Sequence, residues 1–337
     1  MSHATTRRIL SVLELKVYFP VRRTLEDFVA RRRKVLKAVD GVTLHLERGE
    51  VLALVGESGS GKTTLGRAVL GLVKPTAGKI LFEGKDVFNL RGAEIREYRR
   101  KVQMVFQDPS ISLNPRLRVG EQVKYPLDVN RIGSPEERRE KVLETLKAVG
   151  LTPPEDFYKR FPHQLSGGQR QRVAIARALV LGPELLIADE PISNIDVSAR
   201  AQVLTLLREL HDKMGLTMLY ITHDLSSAWA IADNVAVMYL GKIVEYGSVE
   251  QVFSEPLHPY TRALLSSVPS PTPGKVLERK VRLKGEVPNS IDVPRGCRLH
   301  PRCPFTFDKC KGEEPHMLQV GENHYVSCHL YSFEKTH

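Results

Sequence analysis

The chain has 337 residues, 42% of them hydrophobic and 26% charged, which is ordinary for a globular protein and enough for one large core with one or two appendages. No run of about eighteen apolar residues occurs, so no membrane-spanning helix is expected. Arg7 and Arg8 are followed by no apolar stretch or cleavage site, so a secretory leader is not expected and a cytosolic location is.

In chain order, residues 11–19 read as an edge strand. Residues 20–37 form a charged, poorly patterned insertion that holds much of the net +11 charge: Arg22, Arg23, Arg31, Arg32, Arg33, Lys34 and Lys37. Such a segment is either a solvated basic loop or a contact with an anionic membrane surface. No recognition motif or aromatic–basic interleaving accompanies it, so nucleic acid is not an expected partner. Val42–Leu46 alternates at period two and ends at the Arg48–Gly49 turn. Val51–Val55 is a short, wholly apolar run, as expected of a buried parallel strand, and Leu185–Ala188 and Thr217–Ile221 read the same way. Between the last two, Val203, Leu206, Leu207 and Leu210 fall on one helical face, and Gly215 suits the helix stop. Strands alternating with helices imply an α/β core with a mostly parallel sheet.

Residues 108–180 carry helical patterns broken by Pro109, Pro115, Pro126, Pro135, Pro153, Pro154 and Pro162, and part of this stretch reads as a helical subdomain inserted into the core. After about residue 255, Pro256, Pro259, Pro269, Pro271 and Pro273 mark a linker, followed by a small Cys-containing tail.

Three motifs carry chemistry. Gly56-Glu57-Ser58-Gly59-Ser60-Gly61-Lys62-Thr63 fits G-x-x-x-x-G-K-S/T between an apolar strand and a helix. The glycines let backbone N–H groups of Gly56, Ser58, Gly59, Ser60 and Gly61 curl around phosphate oxygens, and the helix N-terminus, with Thr63 and Thr64 in its first turn, adds partial positive charge. Lys62 is expected to neutralise β- and γ-phosphate, and the Thr63 hydroxyl to ligate Mg²⁺. Leu185–Ala188 ends in Asp189 and Glu190; Asp189 suits a water-mediated Mg²⁺ contact and Glu190 a general base. Ser166-Gly167-Gly168-Gln169 opens a helix. S-x-x-Q is a capping box, and a helix N-terminus with two glycines also offers N–H donors to an anion.

In this order the motifs resemble those of the ATP-binding-cassette ATPases: a Walker A loop, the Leu165-Ser166-Gly167-Gly168-Gln169 signature, and a Walker B strand with Asp189 and Glu190. Gln107, in Phe106-Gln107-Asp108-Pro109, resembles the Q-loop glutamine that contacts Mg²⁺ and couples to membrane subunits. His223, in Ile221-Thr222-His223-Asp224, resembles the switch histidine. Phe19 fits the position of the aromatic that stacks on adenine, with Tyr18 as the alternative. The resemblance implies an α/β P-loop NTPase cassette core over residues 8–255, with an antiparallel β subdomain, a helical subdomain at about 108–180 and a Cys-rich C-terminal extension over 256–337. It also implies a head-to-tail dimer in which each ATP lies between one chain's Walker A loop and the other's signature. One departure stands out. Where the family has Ser-Ala-Leu-Asp, this chain has Ser193-Asn194-Ile195-Asp196.

Pro256-Leu257-His258-Pro259-Tyr260-Thr261-Arg262 and Gly285-Glu286-Val287-Pro288 resemble the tail of oligopeptide/dipeptide importer ATPases, and Leu36–Val42 with the insertion before it resembles the second ATPase of such systems. That resemblance implies a paralogous ATPase partner in a heterodimer, two transmembrane permease subunits, an extracytoplasmic solute-binding protein, and a peripheral place at the cytoplasmic face of the cell membrane. The competing expectation is a soluble cassette ATPase acting on nucleic acid or ribosomes. Those chains usually carry two cassettes or a long coiled coil, and neither occurs here.

All four cysteines, Cys297, Cys303, Cys310 and Cys328, lie in the tail, spaced C-x5-C-x6-C-x17-C. Their concentration points to a shared ligand site, and a cytosolic setting disfavours disulfides. Four thiolates serve Zn²⁺ or an iron–sulfur cluster; the spacing lacks the short zinc knuckle and suits the larger group. The importer resemblance implies a 4Fe–4S cluster. His300, His324 and His329 lie near enough in sequence to replace a thiolate.

Overall fold

The computed structural model describes residues 8–21, 34–266 and 281–332. Among these, the strands in chain order are β1 (Arg8–Pro20), β2 (Val35–Glu47), β3 (Val51–Val55), β4 (Ala77–Phe82), β5 (Lys85–Asp86), β6 (Val102–Val105), β7 (Leu185–Asp189), β8 (Thr217–Thr222), β9 (Asn234–Tyr239), β10 (Lys242–Ser248), β11 (Leu318–Gly321) and β12 (His324–Val326). The basic cluster Arg22, Arg23, Arg31, Arg32 and Arg33 lies outside the described residues, as do Pro269, Pro271 and Pro273. The chain divides into two compact units, one made from Met1–Leu46, Leu52–Phe88 and Thr222–His337, the other from Glu47–Val51 and Asn89–Ile221.

In the first unit, β2, β1, β4 and β5 form a sheet in that order. β1 is therefore an interior strand and not the edge strand expected. It pairs antiparallel with β4, Leu10 opposite Phe82 and Val12 opposite Ile80. Alternation of polar and apolar residues reports a sheet with one wet face, and it does not distinguish edge from centre. Ile9, Leu10, Val12, Leu15 and Val17 face the core. The same unit holds β3 parallel to β9, with Ala53 opposite Val235 and Val55 opposite Val237. β10 follows antiparallel to β9, and the tail strands β12 and β11 extend the sheet from β10. All five residues of β3 are buried, which explains the unbroken apolar run. Part of the expected linker is ordered helix: Pro259 opens Pro259–Ser266, a place that needs no backbone N–H.

In the second unit β6, β7 and β8 run parallel, Val102 opposite Leu185 and Leu185 opposite Thr217. Between β6 and β7 lie the helices Pro109–Ser112, Val119–Asn130, Pro135–Ala148, Pro154–Lys159 and Gly167–Leu179. Several of the prolines start helices and do not interrupt them; Pro126 is the exception, inside Val119–Asn130. The helix Val197–Met214 buries Val203, Leu206, Leu207 and Leu210 and ends at Gly215, whose φ of 61° is the left-handed stop that glycine permits. Among the described residues no helix is long and apolar enough to cross a membrane.

Candidate active site

The first unit carries the phosphate loop. It leaves the buried strand β3 at Val55 and enters the helix Lys62–Val69. Gly56 has φ 155° and Gly61 φ 108°. A Cβ on Gly56 would stand 2.2 Å from Met238 O, and one on Gly61 2.0 Å from Ala38 O. Both are inside any van der Waals contact, so the loop is pressed against neighbouring backbone where only glycine fits. Lys62 Nζ folds over the loop and donates to Gly56 O at 2.7 Å and Glu57 O at 2.9 Å. Gly241 N donates to Ser60 O at 2.8 Å, tying the loop to the β9–β10 turn. Ser58 and Gly59 are exposed at the tip; Thr63 and Thr64 are half-buried in the first helical turn. Gly61 caps that helix in left-handed backbone and, as glycine, supplies no side-chain cap.

In the same unit, Phe19 exposes 38% of its surface, whereas the Tyr18 hydroxyl donates to Asp40 and the Lys37 ammonium stands 5.9 Å from the Tyr18 ring centre. His223 is exposed immediately after β8. Asp224 behind it caps the helix Leu225–Ile231, accepting from Ser226 N at 3.0 Å. Among residues to which sequence reasoning gave no role, Tyr260 and Arg302 contact the loop at Glu57, and Arg298 reaches it only through Asp40 and Leu240. Their contacts join positions some two hundred residues apart, and no local pattern signals them.

In the second unit, Asp189 ends β7 opposite Ile221 and is only 1% exposed. Glu190 follows with φ 46°, left-handed backbone that a non-glycine residue adopts at a cost of about 1–3 kcal/mol. The strain is held in place: Glu190 N donates to Ile221 O at 2.8 Å, and Ser193 N and Oγ donate to Glu190 O at 3.2 and 3.0 Å. Gln107 Nε2 donates to Glu190 Oε2 at 2.8 Å, so two of the expected site residues meet directly. Ser166 and Gln169 form the reciprocal capping box, Gln169 N to Ser166 Oγ at 3.2 Å and Ser166 N to Gln169 Oε1 at 3.0 Å. Gly168 is packed so closely that a Cβ would lie 2.8 Å from Ala199 Cβ. The departing loop lies beside this helix start: the nearest atoms to a Cβ on Gly167 would be Ile195 Cγ2 and Asn194 O. Ile195 is buried and keeps the aliphatic role of the family's leucine, while Asn194 is exposed.

The tail belongs to the first unit. None of its four cysteines is in a disulfide; Cys310 and Cys328 are buried and Cys297 and Cys303 half-buried. Burial, and then repulsion by the other thiols, pushes Cys297 up to about 11 and Cys328 up to about 12. The nearby histidines are engaged elsewhere. His324 Nε2 lies 2.9 Å from Glu245 Oε1, His329 Nε2 2.9 Å from Glu313 O, and His300 Nδ1 3.0 Å from Cys297 O. Among the described residues no group of three or more His, Cys, Asp and Glu side chains is arranged to hold a metal ion.

A lysine held by loop carbonyls and, in the other unit, a strained glutamate oriented by an amide are the parts expected of a P-loop nucleoside triphosphatase. Residues 39–193 match the family model described as ABC transporter, and residues 244–310 the model described as oligopeptide/dipeptide transporter, C-terminal region. The chain is 48% identical over 336 residues to the oligopeptide transport ATP-binding protein AppF of Bacillus subtilis, covering 98% of this chain and 100% of that one. It is 47% identical over 321 residues to the dipeptide transport ATP-binding protein DppF of Haemophilus influenzae, covering 95% and 96%. Among solved structures it resembles cbiO1 of Clostridium perfringens, part of the ABC transporter complex cbiONQ, with TM-score 0.62 and 33% identity over 74% of this chain and 92% of that one. It also resembles the ATP-binding cassette MJ0796 in a dimeric post-hydrolysis state bound to ADP and Pi, with TM-score 0.62 and 31% identity over 71% and 98%. The chain belongs to the ABC transporter ATPase family, in its oligopeptide/dipeptide transporter branch.

Proposed function

We propose that this chain hydrolyses ATP to energise import of peptides or similar solutes through a membrane transporter. The observation that carries this reading is its likeness, along nearly its whole length, to peptide-transport ATP-binding proteins. It acts as a peripheral subunit at the cytoplasmic face of the cell membrane, paired head-to-tail with a paralogous ATPase. Two permease subunits and an extracytoplasmic solute-binding protein complete the importer. Ile111, 86% exposed on the short helix just after Gln107, offers an apolar contact to such a permease.

Backbone N–H groups of the loop Gly56–Gly61 cradle the phosphates, and Lys62 moves from the loop carbonyls to the β- and γ-phosphate oxygens. Phe19 stacks on adenine. The Thr63 hydroxyl, the Gln107 amide oxygen and Asp189 would help to hold Mg²⁺, which takes few protein ligands among phosphates. Bound there, the ion offsets phosphate charge. Glu190 takes the proton of the attacking water as general base, its carboxylate oriented by Gln107, while His223 senses the γ-phosphate. Ser166, Gly168 and Gln169 present a second helix N-terminus to the partner's γ-phosphate. ATP therefore stabilises the closed pair, and hydrolysis reopens it.

In the tail, Cys297, Cys303, Cys310 and Cys328 would hold a 4Fe–4S cluster of structural role. Burial, and then the neighbouring thiols, raises the proton affinity of Cys297, Cys303 and Cys328, a cost that binding a cationic group would relieve. Cluster ligation supplies a four-way cross-link between tail segments. Co-purification of the full chain with integral membrane proteins tests the transport reading; co-purification with ribosomes or DNA would replace it with the soluble alternative.

A further inference from the structure

Every polar group of Glu57, the second residue of the phosphate loop, is engaged. Its N–H donates to the Tyr260 hydroxyl at 2.7 Å. Its C=O accepts from Lys62 Nζ at 2.9 Å and from Ser60 N at 3.2 Å. Its carboxylate takes the Arg302 guanidinium on both oxygens, at 3.0 and 3.3 Å. Tyr260 and Arg302 both come from the C-terminal extension, and each is braced. Their common support is Tyr239 at the end of β9, whose ring centre lies 4.6 Å from that of Tyr260 and 5.9 Å from the Arg302 guanidinium carbon. Arg302 is 8% exposed and sits in a tight turn, its N–H donating to Leu299 O at 2.8 Å.

Four residues earlier, Arg298, also 8% exposed, pairs with the Asp40 carboxylate and donates to Leu240 O. Asp40 in turn accepts from Tyr18 and, through its own N–H, donates to Gly241 O at 2.9 Å. Gly241 N is the donor that ties down Ser60. One short stretch of tail, flanked by Cys297 and Cys303, thus grips the loop directly through Glu57 and indirectly through Asp40. A bidentate pair of this kind fixes orientation as well as position.

We propose that Arg302 and Tyr260 are positioning residues that set the shape of the phosphate loop through Glu57, so that the C-terminal extension governs ATP affinity. The proposal rests on the reading of this loop as the ATP site. A purely stabilising tail would change the melting temperature and leave affinity alone; a positioning one changes affinity in the folded protein.

The test is MgATP affinity of the full chain, read by displacement of a trinitrophenyl-ATP probe, beside thermal unfolding. Arg302→Ala weakens binding about tenfold, and Arg302→Lys, which keeps the charge but loses the fork, restores a part of it. Tyr260→Phe, a change small enough to leave the fold intact, weakens binding about threefold by leaving the Glu57 N–H without its acceptor. Glu57→Gln combined with Arg302→Ala is no worse than Arg302→Ala alone, as expected of residues acting through one contact. Wild-type affinity in Tyr260→Phe and Arg302→Lys, with only the melting temperature lowered, overturns the proposal. Lys62→Ala is the control: if it too binds like wild type, the loop is not the ATP site and the functional reading fails instead.

Discussion

Gln107 Nε2 donates a 2.8 Å hydrogen bond to a carboxylate oxygen of Glu190, and the Glu190 backbone is held at φ 46° by Ile221 and Ser193. A carboxylate aimed by an amide, on backbone that is strained and pinned, is pre-oriented before substrate arrives.

Replacing Glu190 by Gln removes the base and keeps a side chain of the same shape beside Gln107. ATP binding is retained and turnover falls by about 10²–10⁴-fold, the range for loss of a positioned base. Native gels with ATP should then show a persistent pair with the proposed paralogous partner. Unchanged turnover in Glu190→Gln removes it from the role of base.

Gly61→Ala places a methyl group 2.0 Å from Ala38 O at a φ of 108°. The loop must move, at a cost of about 1–3 kcal/mol of strain. The melting temperature falls by several degrees and MgATP binding, measured by calorimetry, is lost.

The two signature glycines separate packing from function. A Cβ on Gly168 meets Ala199 Cβ at 2.8 Å, whereas one on Gly167 finds its nearest neighbour at 3.7 Å, ordinary contact. Gly168→Ala is destabilised by about 1–3 kcal/mol, the usual range for overpacking, and Gly167→Ala is not. Hydrolysis by the assembled pair falls in both, because both sit at the helix start that the proposed head-to-tail pairing turns toward the partner's phosphate. Denaturant unfolding and steady-state ATPase rates read the two effects apart.

His258 is 1% exposed and its Nδ1 accepts from Tyr260 N at 3.2 Å. Burial, outweighing the nearby Glu245 carboxylate, lowers its pKa to about 4. The unfolded imidazole takes up a proton near pH 6.5 and the folded one only near pH 4, so the unfolded state binds more protons in between. Stability therefore falls as pH drops from about 6.5 to about 4, by about 3 kcal/mol from this group. Urea unfolding of wild type and His258→Asn at a series of pH values should show a flatter acid slope in the variant.

The proposed 4Fe–4S cluster predicts broad absorption in the visible blue from anaerobically purified protein, with about four irons per chain, lost when the cysteines are changed to serine. Colourless protein with one bound zinc contradicts it.

Much of the core is legible in the sequence because buried parallel strands read as unbroken apolar runs: β3, β7 and β8 each do. The face Val203, Leu206, Leu207 and Leu210 and the Gly215 stop are legible for the same local reasons. The place of β1 is not, since its pattern reports one wet face and says nothing about its neighbours. Nor are the pairs Arg298–Asp40 and Arg302–Glu57, which join residues 258 and 245 positions apart. Tertiary ion pairs leave no periodicity, so the tail reads as an appendage when in fact it touches the phosphate loop.

The most direct test of the central claim is uptake of a labelled peptide into proteoliposomes holding the whole importer, this chain included, with its binding protein outside and MgATP inside. The account predicts peptide accumulation that requires ATP and disappears with Glu190→Gln in this chain. Accumulation that continues at the wild-type rate with Glu190→Gln, or ATP hydrolysis by the intact complex with no uptake of any peptide, would contradict it.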